Sequence, residues 1–148
     1  MAVKRTVCGR MVFLMVLVCG IGGAFQIQAA EEKKEYTHIS QDEAKEMMAE
    51  DDDHIIIDVR TQEEYDSGHI SGAICIPNES IIDEQPEELP DLEQIILVYC
   101  RSGRRSKEAS QKLADIGYTN VYEFGGILDW TGDIVTEEKT EKAVHTKG

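Results

Sequence analysis

The sequence predicts an α/β fold in which a mainly parallel central sheet carries helices on both faces. Two continuous apolar runs, residues 54–59 and 95–99, have the composition of strands that are buried on both sides of a parallel sheet. Helix-start signals follow each run, so strands and helices alternate along the chain. Because ligands bind at the C-terminal ends of the strands in such sheets, we expect the functional groups there.

The first half of the predicted domain contains two helices that begin with capping boxes. At Ser40–Glu43 and at Thr61–Glu64, a hydroxyl residue is followed three positions later by a glutamate that can bond back to it. The first helix is predicted to run to about residue 49, and Gly68 ends the second. Strands are predicted at residues 36–39, 54–59 and 73–76.

The second half of the domain alternates in the same way. Residues 78–91 are acidic and contain prolines, and we predict a short helix and a surface loop there. The strand at residues 95–99 is followed by a helix from Ser106, which would be its N-cap, to Ile116, and Gly117 ends this helix. The last predicted elements are a strand at residues 121–124 and a short helix at residues 127–130.

Composition divides the chain into three parts. Residues 1–30 contain basic but no acidic residues, then an apolar run and small residues, which is the order of a secretory signal peptide. The segment 11–27 is a marginal membrane span, since a transmembrane helix needs about 20 residues, so an uncleaved anchor is the alternative. Residues 31–136 form the predicted domain and residues 137–148 a polar, disordered tail. We therefore expect an exported protein, periplasmic or extracellular.

The charge balance indicates a protein that acts on small molecules. The chain has 29 acidic and 15 basic residues. Three of the basic residues lie in the segment 1–30, so 12 remain against 29 acidic ones, a net charge of −17 with histidine neutral. Such a surface repels nucleic acids and anionic membranes, and we expect membrane contact only through an uncleaved leader.

Cys100 is the candidate nucleophile. It follows the apolar strand directly and opens a loop that contains Arg101, Arg104 and Arg105 but no acidic residue. Cations oppose the dipole in the first turn of a helix by about 0.3–1 kcal/mol each, so this placement favours a bound anion. Backbone N–H groups around Gly103 would form a nest for negative charge, and the pKa of the thiol is expected to fall below about 8.5. The alternative is a small core residue at a strand end.

Three motifs together resemble those of one known family. Residues 100–106 read Cys-Arg-Ser-Gly-Arg-Arg-Ser and fit the rhodanese active-site pattern Cys-Arg-x-Gly-x-Arg-Ser. The segment Ile57-Asp58-Val59-Arg60 with Glu64 and residues 68–77 is similar to a second rhodanese motif, and residues 124–130 are similar to a third. Over about residues 36–135 the chain thus resembles a single-domain rhodanese, which implies the rhodanese fold and sulfur transfer without a cofactor.

The resemblance also implies roles for individual residues. Cys100 would carry the sulfur as a persulfide, and the substrate-binding loop would comprise Arg101, Ser102, Gly103, Arg104 and Arg105. Within it, Arg105 would brace the loop and Arg104 would meet the substrate. The expected donor is a small anion such as thiosulfate, and the acceptor is cyanide or a thiol, with a protein partner as a further option.

The spacing of the loop separates sulfur transfer from phosphatase chemistry. Cysteine phosphatases use Cys-x5-Arg, whereas the sixth residue after Cys100 is Ser106. The loop is one residue short of the phosphatase pattern, and the resemblance to rhodaneses implies that the shorter loop suits a sulfur atom carried on the cysteine. A non-catalytic sulfur carrier or redox-sensing module stays open as the alternative, and a small-oxyanion phosphatase or arsenate reductase is disfavoured.

The remaining candidates are supporting residues. Asp58, Arg60 and Ser106 are predicted to support the active loop, with Arg60 forming a local ion pair with Glu64. No cysteine or histidine spacing indicates a metal site, and His69 is interpreted as a hydrogen-bonded structural residue.

Cys75 is interpreted as a buried small hydrophobic residue in the apolar run at residues 73–76. Exchange of a disulfide or sulfur atom with Cys100 is the alternative.

Overall fold

A computed structural model describes residues 34–136, and the predicted leader and the predicted tail lie outside the described residues. The strands are β1 (Thr37–His38), β2 (Ile55–Asp58), β3 (His69–Ile70), β4 (Ala73–Cys75), β5 (Ile95–Cys100), β6 (Asn120–Gly126) and β7 (Ile134–Val135). The α-helices are α1 (Gln41–Met48), α2 (Gln62–Asp66) and α3 (Arg104–Ile116), and 3-10 turns occupy Asn78–Ser80 and Ile127–Asp129.

Five strands form a parallel sheet in the order β1-β6-β5-β2-β4. This confirms the predicted α/β architecture with a mainly parallel sheet. The central position of β5 places Cys100, its last residue, at the C-terminal edge of the sheet. A second sheet, the antiparallel pair β3–β7, was not predicted.

Alternation along the strands divides the core into two layers. Ile96, Val98 and Cys100 of β5 face the layer that packs against α3, whereas Leu97 and Tyr99 face the layer that contains Ala44 of α1. Both faces of the sheet are thus covered by helices, as the continuous apolar runs predicted. Cys100 points to the α3 side, where the loop that it opens joins the first turn of that helix.

Both predicted capping boxes are present. The Ser40 and Thr61 side chains accept the backbone N–H groups of Glu43 and Glu64, whose carboxylates bond back to the cap residues. The loop prediction for residues 78–91 is incomplete, because Leu89 within this segment is fully buried. Within residues 34–136, no helix combines the length and apolar character required to cross a membrane.

Candidate active site

The Cys100 sulfur is buried beneath the loop that it opens. The residue is 1% exposed, and the backbone N–H of Gly103 donates to Sγ at 3.1 Å. The Ser106 hydroxyl oxygen lies 3.6 Å from the same sulfur. A donor aimed at Sγ stabilises negative charge on it, so the predicted nest is partly formed around the sulfur itself.

The N-cap of helix α3 lies three residues earlier than predicted. Gly103, with φ 97°, is the N-cap, and the helix starts at Arg104. The prediction that Ser106 is the N-cap is therefore wrong. A left-handed backbone at Gly103 turns the chain sharply enough to aim its N–H back at Cys100, and a residue with a Cβ would be strained there.

The loop lies directly against the glycine pair at the end of β6. A Cβ on Gly126 would fall 2.2 Å from the carbonyl oxygen of Arg101 and 2.6 Å from Cα of Ser102. Both contacts involve backbone or Cα atoms that no rotamer change can move, so only glycine permits this approach. The Arg101 carbonyl also accepts the N–H of Leu128 at 3.2 Å. These contacts fix the path of the loop.

Arg105 joins the loop to the first turn of α2. Its two terminal nitrogens donate to the two carboxylate oxygens of Glu64, Nη1 to Oε2 at 2.7 Å and Nη2 to Oε1 at 2.9 Å. The hydrogen bonds from Arg105 lower the pKa of Glu64 from its ordinary 4.5 to about 2, although burial acts in the opposite direction. Both terminal nitrogens of Arg105 thus bind Glu64, and its bracing of the loop and its contact with substrate stay predictions.

The predicted ion pair between Arg60 and Glu64 is wrong. Arg60 instead pairs with Asp58, the last residue of β2, with Nη2 2.6 Å from Oδ2. It also donates to the Gly68 carbonyl at 2.7 Å. Both charged side chains are almost fully buried. The Tyr99 hydroxyl accepts the backbone N–H of Ile70 at 3.0 Å, and burial together with the negative charge of Asp58 raises the pKa of this hydroxyl. These residues tie the ends of β2 and β5 to the turn before β3.

The remaining loop residues are at the surface. Arg101, Ser102 and Arg104 are exposed. Nη1 of Arg104 lies 3.8 Å from Oε2 of Glu108, one turn further along the helix. Exposed arginines at the mouth of the loop are available to an incoming anion. Their contact with substrate stays a prediction.

Cys75 and Cys100 are both free thiols and lie on strands that are not neighbours. Strand β2 separates β4 from β5, so their backbones are about 10 Å apart at a spacing of about 4.8 Å per strand. A disulfide needs Cα atoms within about 7 Å, so a direct bond would require backbone movement. Burial raises the pKa of Cys75 to about 11, which makes it a poor nucleophile at neutral pH.

One site residue was missed from the sequence. Glu123 of β6 is fully buried, and its Oε1 accepts the Ser106 hydroxyl at 2.6 Å and the Gly125 N–H at 2.9 Å. Its Oε2 lies 2.6 Å from Nδ1 of His38, whose side chain is 63% exposed. The only sequence signal was a glutamate within an otherwise apolar strand prediction.

His69 is hydrogen-bonded, as predicted, and it is also buried. Its ring stacks on Tyr65 with centroids 3.7 Å apart, and Nδ1 lies 3.0 Å from the Tyr65 carbonyl. In the described part of the chain, no three histidine, cysteine, aspartate or glutamate side chains come together as a metal-binding group.

Comparisons with known proteins agree with this geometry. The family model "Rhodanese-like domain" matches residues 40–133. The chain is 40% identical over 73 residues to the thiosulfate sulfurtransferase PspE of Escherichia coli K12, an alignment that spans 49% of this chain and 70% of that protein.

The structure is similar to one described as rhodanese with anions from E. coli, with a TM-score of 0.52 and 36% identity over 56% of this chain and 98% of that one. A different relative is the tRNA uridine(34) hydroxylase of Pectobacterium atrosepticum, which is 33% identical over 88 residues. That alignment spans 56% of this chain but only 25% of the hydroxylase, so it concerns one segment of a longer protein.

Proposed function

Because the chain belongs to the rhodanese-like domain family, whose model matches most of the described residues, we propose that it is a sulfurtransferase that carries sulfur on Cys100. The observation that carries this proposal is the Gly103 N–H aimed at a cysteine sulfur, 3.1 Å away, beneath a loop with exposed arginines. The similarity to a thiosulfate sulfurtransferase over 70% of that enzyme's length supports the same chemistry.

The reaction proceeds in two balanced steps. In the first, the Cys100 thiolate attacks the outer sulfur of thiosulfate, so that an Sγ–S bond forms, the S–S bond of the donor breaks, and sulfite leaves with the bonding electrons. In the second, cyanide or a thiolate attacks the outer sulfur of the persulfide, which returns Cys100 as a thiolate and releases thiocyanate or a new persulfide. No external oxidant or reductant is needed.

The loop supplies stabilisation at each stage. The Gly103 N–H stabilises the negative sulfur, and Arg101 and Arg104 at the mouth attract the anionic donor. The charged oxygens of the donor would thus lie near these exposed arginines, while its outer sulfur reaches Cys100.

Phosphatase chemistry is less well supported. The position six residues after the cysteine, where the phosphatase pattern requires arginine, holds Ser106, and this serine donates to the buried carboxylate of Glu123. Without an arginine there, the site lacks the bidentate cationic contact that suits a phosphate group.

The test is sulfur loading followed by turnover. The full-length chain is incubated with thiosulfate, and mass spectrometry of the intact protein and of its peptides is expected to show one added sulfur atom on Cys100. Cys100→Ser should lose the adduct and Cys75→Ser, the matched control, should retain it. A wild-type chain without an adduct would refute the proposal.

Turnover separates an enzyme from a carrier. An enzyme should convert many equivalents of thiosulfate with cyanide or a small thiol as acceptor, and the rate should be saturable. A carrier would load once and stop, and in that case the proposed activity would be replaced by sulfur delivery to or from a partner protein.

We also propose that the protein acts outside the cytoplasm, on the basis of the composition of residues 1–30. Cell fractionation with N-terminal sequencing tests this. Recovery of the full-length chain in the cytoplasmic fraction would contradict export, and recovery in the membrane fraction would favour the anchor at residues 11–27.

A further inference from the structure

Beneath the Cys100 loop lies a carboxylate for which the sulfur-transfer steps have no role. Glu123 is fully buried, and it lies on the same strand face as Val121, two residues before it, which belongs to the core under α3. A buried charge is costly unless it is paired and hydrogen-bonded. An apolar side chain could fill this position without that cost, so the glutamate calls for a function.

The contacts of Glu123 are suited to a hydrogen-bond acceptor. Its oxygens face the Ser106 hydroxyl, the Gly125 N–H and Nδ1 of His38. A carboxylate can only accept hydrogen bonds, so Nδ1 of His38 carries a hydrogen and the Ser106 hydroxyl donates. An O–H to carboxylate distance of 2.6 Å is typical of a charge-assisted bond.

This bond decides how Ser106 meets the sulfur. The serine has a single hydrogen and three acceptors within reach: the Glu123 carboxylate at 2.6 Å, the Gly103 carbonyl at 3.0 Å and the Gly125 carbonyl at 3.3 Å. The shortest of these contacts is to the charged acceptor, which makes the stronger bond. Whichever acceptor takes the hydrogen, Ser106 presents lone pairs to Cys100 at 3.6 Å. Lone pairs can accept a thiol S–H but repel a thiolate. The two contacts in series, 2.6 Å and 3.6 Å, also place the nearer carboxylate oxygen within about 6 Å of Sγ.

We propose that Glu123 and His38 are positioning residues that act through Ser106 to set the reactivity of Cys100 and to make it depend on pH. Glu123 restrains thiolate formation, both by its charge and by the direction of the serine hydroxyl. A proton on His38 offsets that charge, so the restraint is weakest in mildly acidic solution. The inference rests on the proposed role of Cys100 as a nucleophile and adds the regulation of that site.

The histidine is placed to exchange protons with solvent. Its side chain is 63% exposed while its carboxylate partner is fully buried, and histidines gain or lose a proton between about pH 5 and pH 8. The pair therefore connects a buried cysteine to the pH outside through two side chains, Glu123 and Ser106.

Few other charges face these groups. On the α1 side, Glu43 interacts electrostatically with His38. On the α3 side, the Cys100 sulfur interacts with Arg105, which is neutralised by Glu64. Across β5, the Asp58–Arg60 pair is internally balanced. None of these partners differs between the variants proposed below, so changes in the pH profile report on His38 and Glu123.

The experiment measures alkylation of Cys100 by iodoacetamide from pH 5 to pH 9 in the full-length chain, with peptide mass spectrometry to separate Cys100 from the other cysteines. In Glu123→Gln, the pH of half-maximal alkylation rate should fall by about one to two pH units, as expected for loss of a unit charge at about 6 Å with an effective dielectric constant of about 20. The amide keeps the size of the side chain and an oxygen that can accept from Ser106.

The second variant tests the histidine. His38→Gln should alkylate about two- to fivefold more slowly than wild type at pH 5.5, because the carboxylate is no longer offset, and at the same rate at pH 8.5. The double variant should follow Glu123→Gln, because without the carboxylate there is no charge to offset. His54→Gln is the matched control, since Nδ1 of His54 also lies 2.6 Å from a carboxylate, that of Asp52. His54 precedes the first residue of β2, whereas Cys100 is the last residue of the parallel strand β5.

A purely structural role for Glu123 would lower stability without moving the pH profile, and a Glu123→Gln profile that coincides with wild type would overturn the proposal. Equal effects of His38→Gln at both pH values would also overturn it. If Glu123→Gln does not fold, the His38→Gln profile decides alone. Alkylation reports on the thiol and thiosulfate loading on sulfur transfer, so a chain that alkylates as expected but never loads would refute the proposed function and leave this inference standing.

Discussion

Replacing Glu64 with glutamine should weaken the anchor of the active loop by an amount that depends on pH. Glu64 receives both terminal nitrogens of Arg105 and also bonds back to the backbone and hydroxyl of Thr61. These bonds hold its pKa at about 2, against an ordinary 4.5. A carboxyl whose folded pKa lies below its unfolded pKa stabilises the fold above the unfolded pKa, and the contribution is lost as the pH falls towards the folded value.

The size of the effect follows from the same pair of values. At about 1.4 kcal/mol per pKa unit, the difference corresponds to about 3 kcal/mol at neutral pH. The side chain of Glu64 is 29% exposed, and solvent screens ion pairs at the surface strongly, so we expect about 1–2 kcal/mol. Linkage predicts that less than half of this contribution remains at pH 3.

The assay is urea unfolding at pH 7, 5 and 3, followed by the fluorescence of Trp130, the single tryptophan, which packs against Phe124. Glu64→Gln should have a lower midpoint than wild type at pH 7 with an unchanged slope, and the gap between the two midpoints should shrink to less than half at pH 3. Glu63→Gln is the control, since Glu63 is an exposed neighbour in α2. A constant gap from pH 7 to pH 3, or a Glu64→Gln midpoint equal to the control at pH 7, would refute the reasoning.

Two further predictions concern packing around the loop. Gly126→Ala should destabilise the protein by about 1–3 kcal/mol or more, because its Cβ would displace the Arg101 carbonyl. It should also slow sulfur loading at least about tenfold, because a shifted loop misplaces the sulfur. Urea unfolding and loading kinetics test this, and wild-type values in both would contradict the close approach. Tyr99→Phe should lower the free energy of unfolding by about 1–3 kcal/mol, because the buried N–H of Ile70 loses its acceptor. Sulfur loading should persist in this variant. An unfolding midpoint equal to that of wild type would argue against the hydrogen bond.

The main sheet and its helices could be predicted because their signals are local. The capping boxes at Ser40 and Thr61 and the apolar run of β5 each lie within a few consecutive residues, and the structure confirms all three. The β3–β7 pair was missed because each strand has only two residues, too few to show a period. Burial of Leu89 was missed for a related reason, since a single apolar residue in an acidic loop carries no periodic signal.

The loop around Cys100 could be predicted because its residues are contiguous, whereas its partners could not. Arg60 and Glu64 are four residues apart in sequence and suggested a local pair, yet the partner of Glu64 is Arg105, 41 residues away. Burial decides the pairing here, because Arg60 and Asp58 are buried together and satisfy each other's charge. Sequence separation favours the nearer pairing only when both sites are equally open to solvent.

The charges around the loop also answer why cations are tolerated at the start of α3. Arg105 is neutralised from outside by Glu64, and Glu123 places a negative charge on the inner side of the same first turn, where it interacts favourably with the helix dipole. The charges beneath the loop are therefore balanced, whereas the exposed Arg101 and Arg104 leave its outer surface positive. An anionic donor is attracted to the mouth, whereas the sulfur below meets a carboxylate that resists excess negative charge. Under the proposed function, this division would let a buried cysteine receive a sulfur from an anion without being held permanently as a thiolate that is open to oxidation.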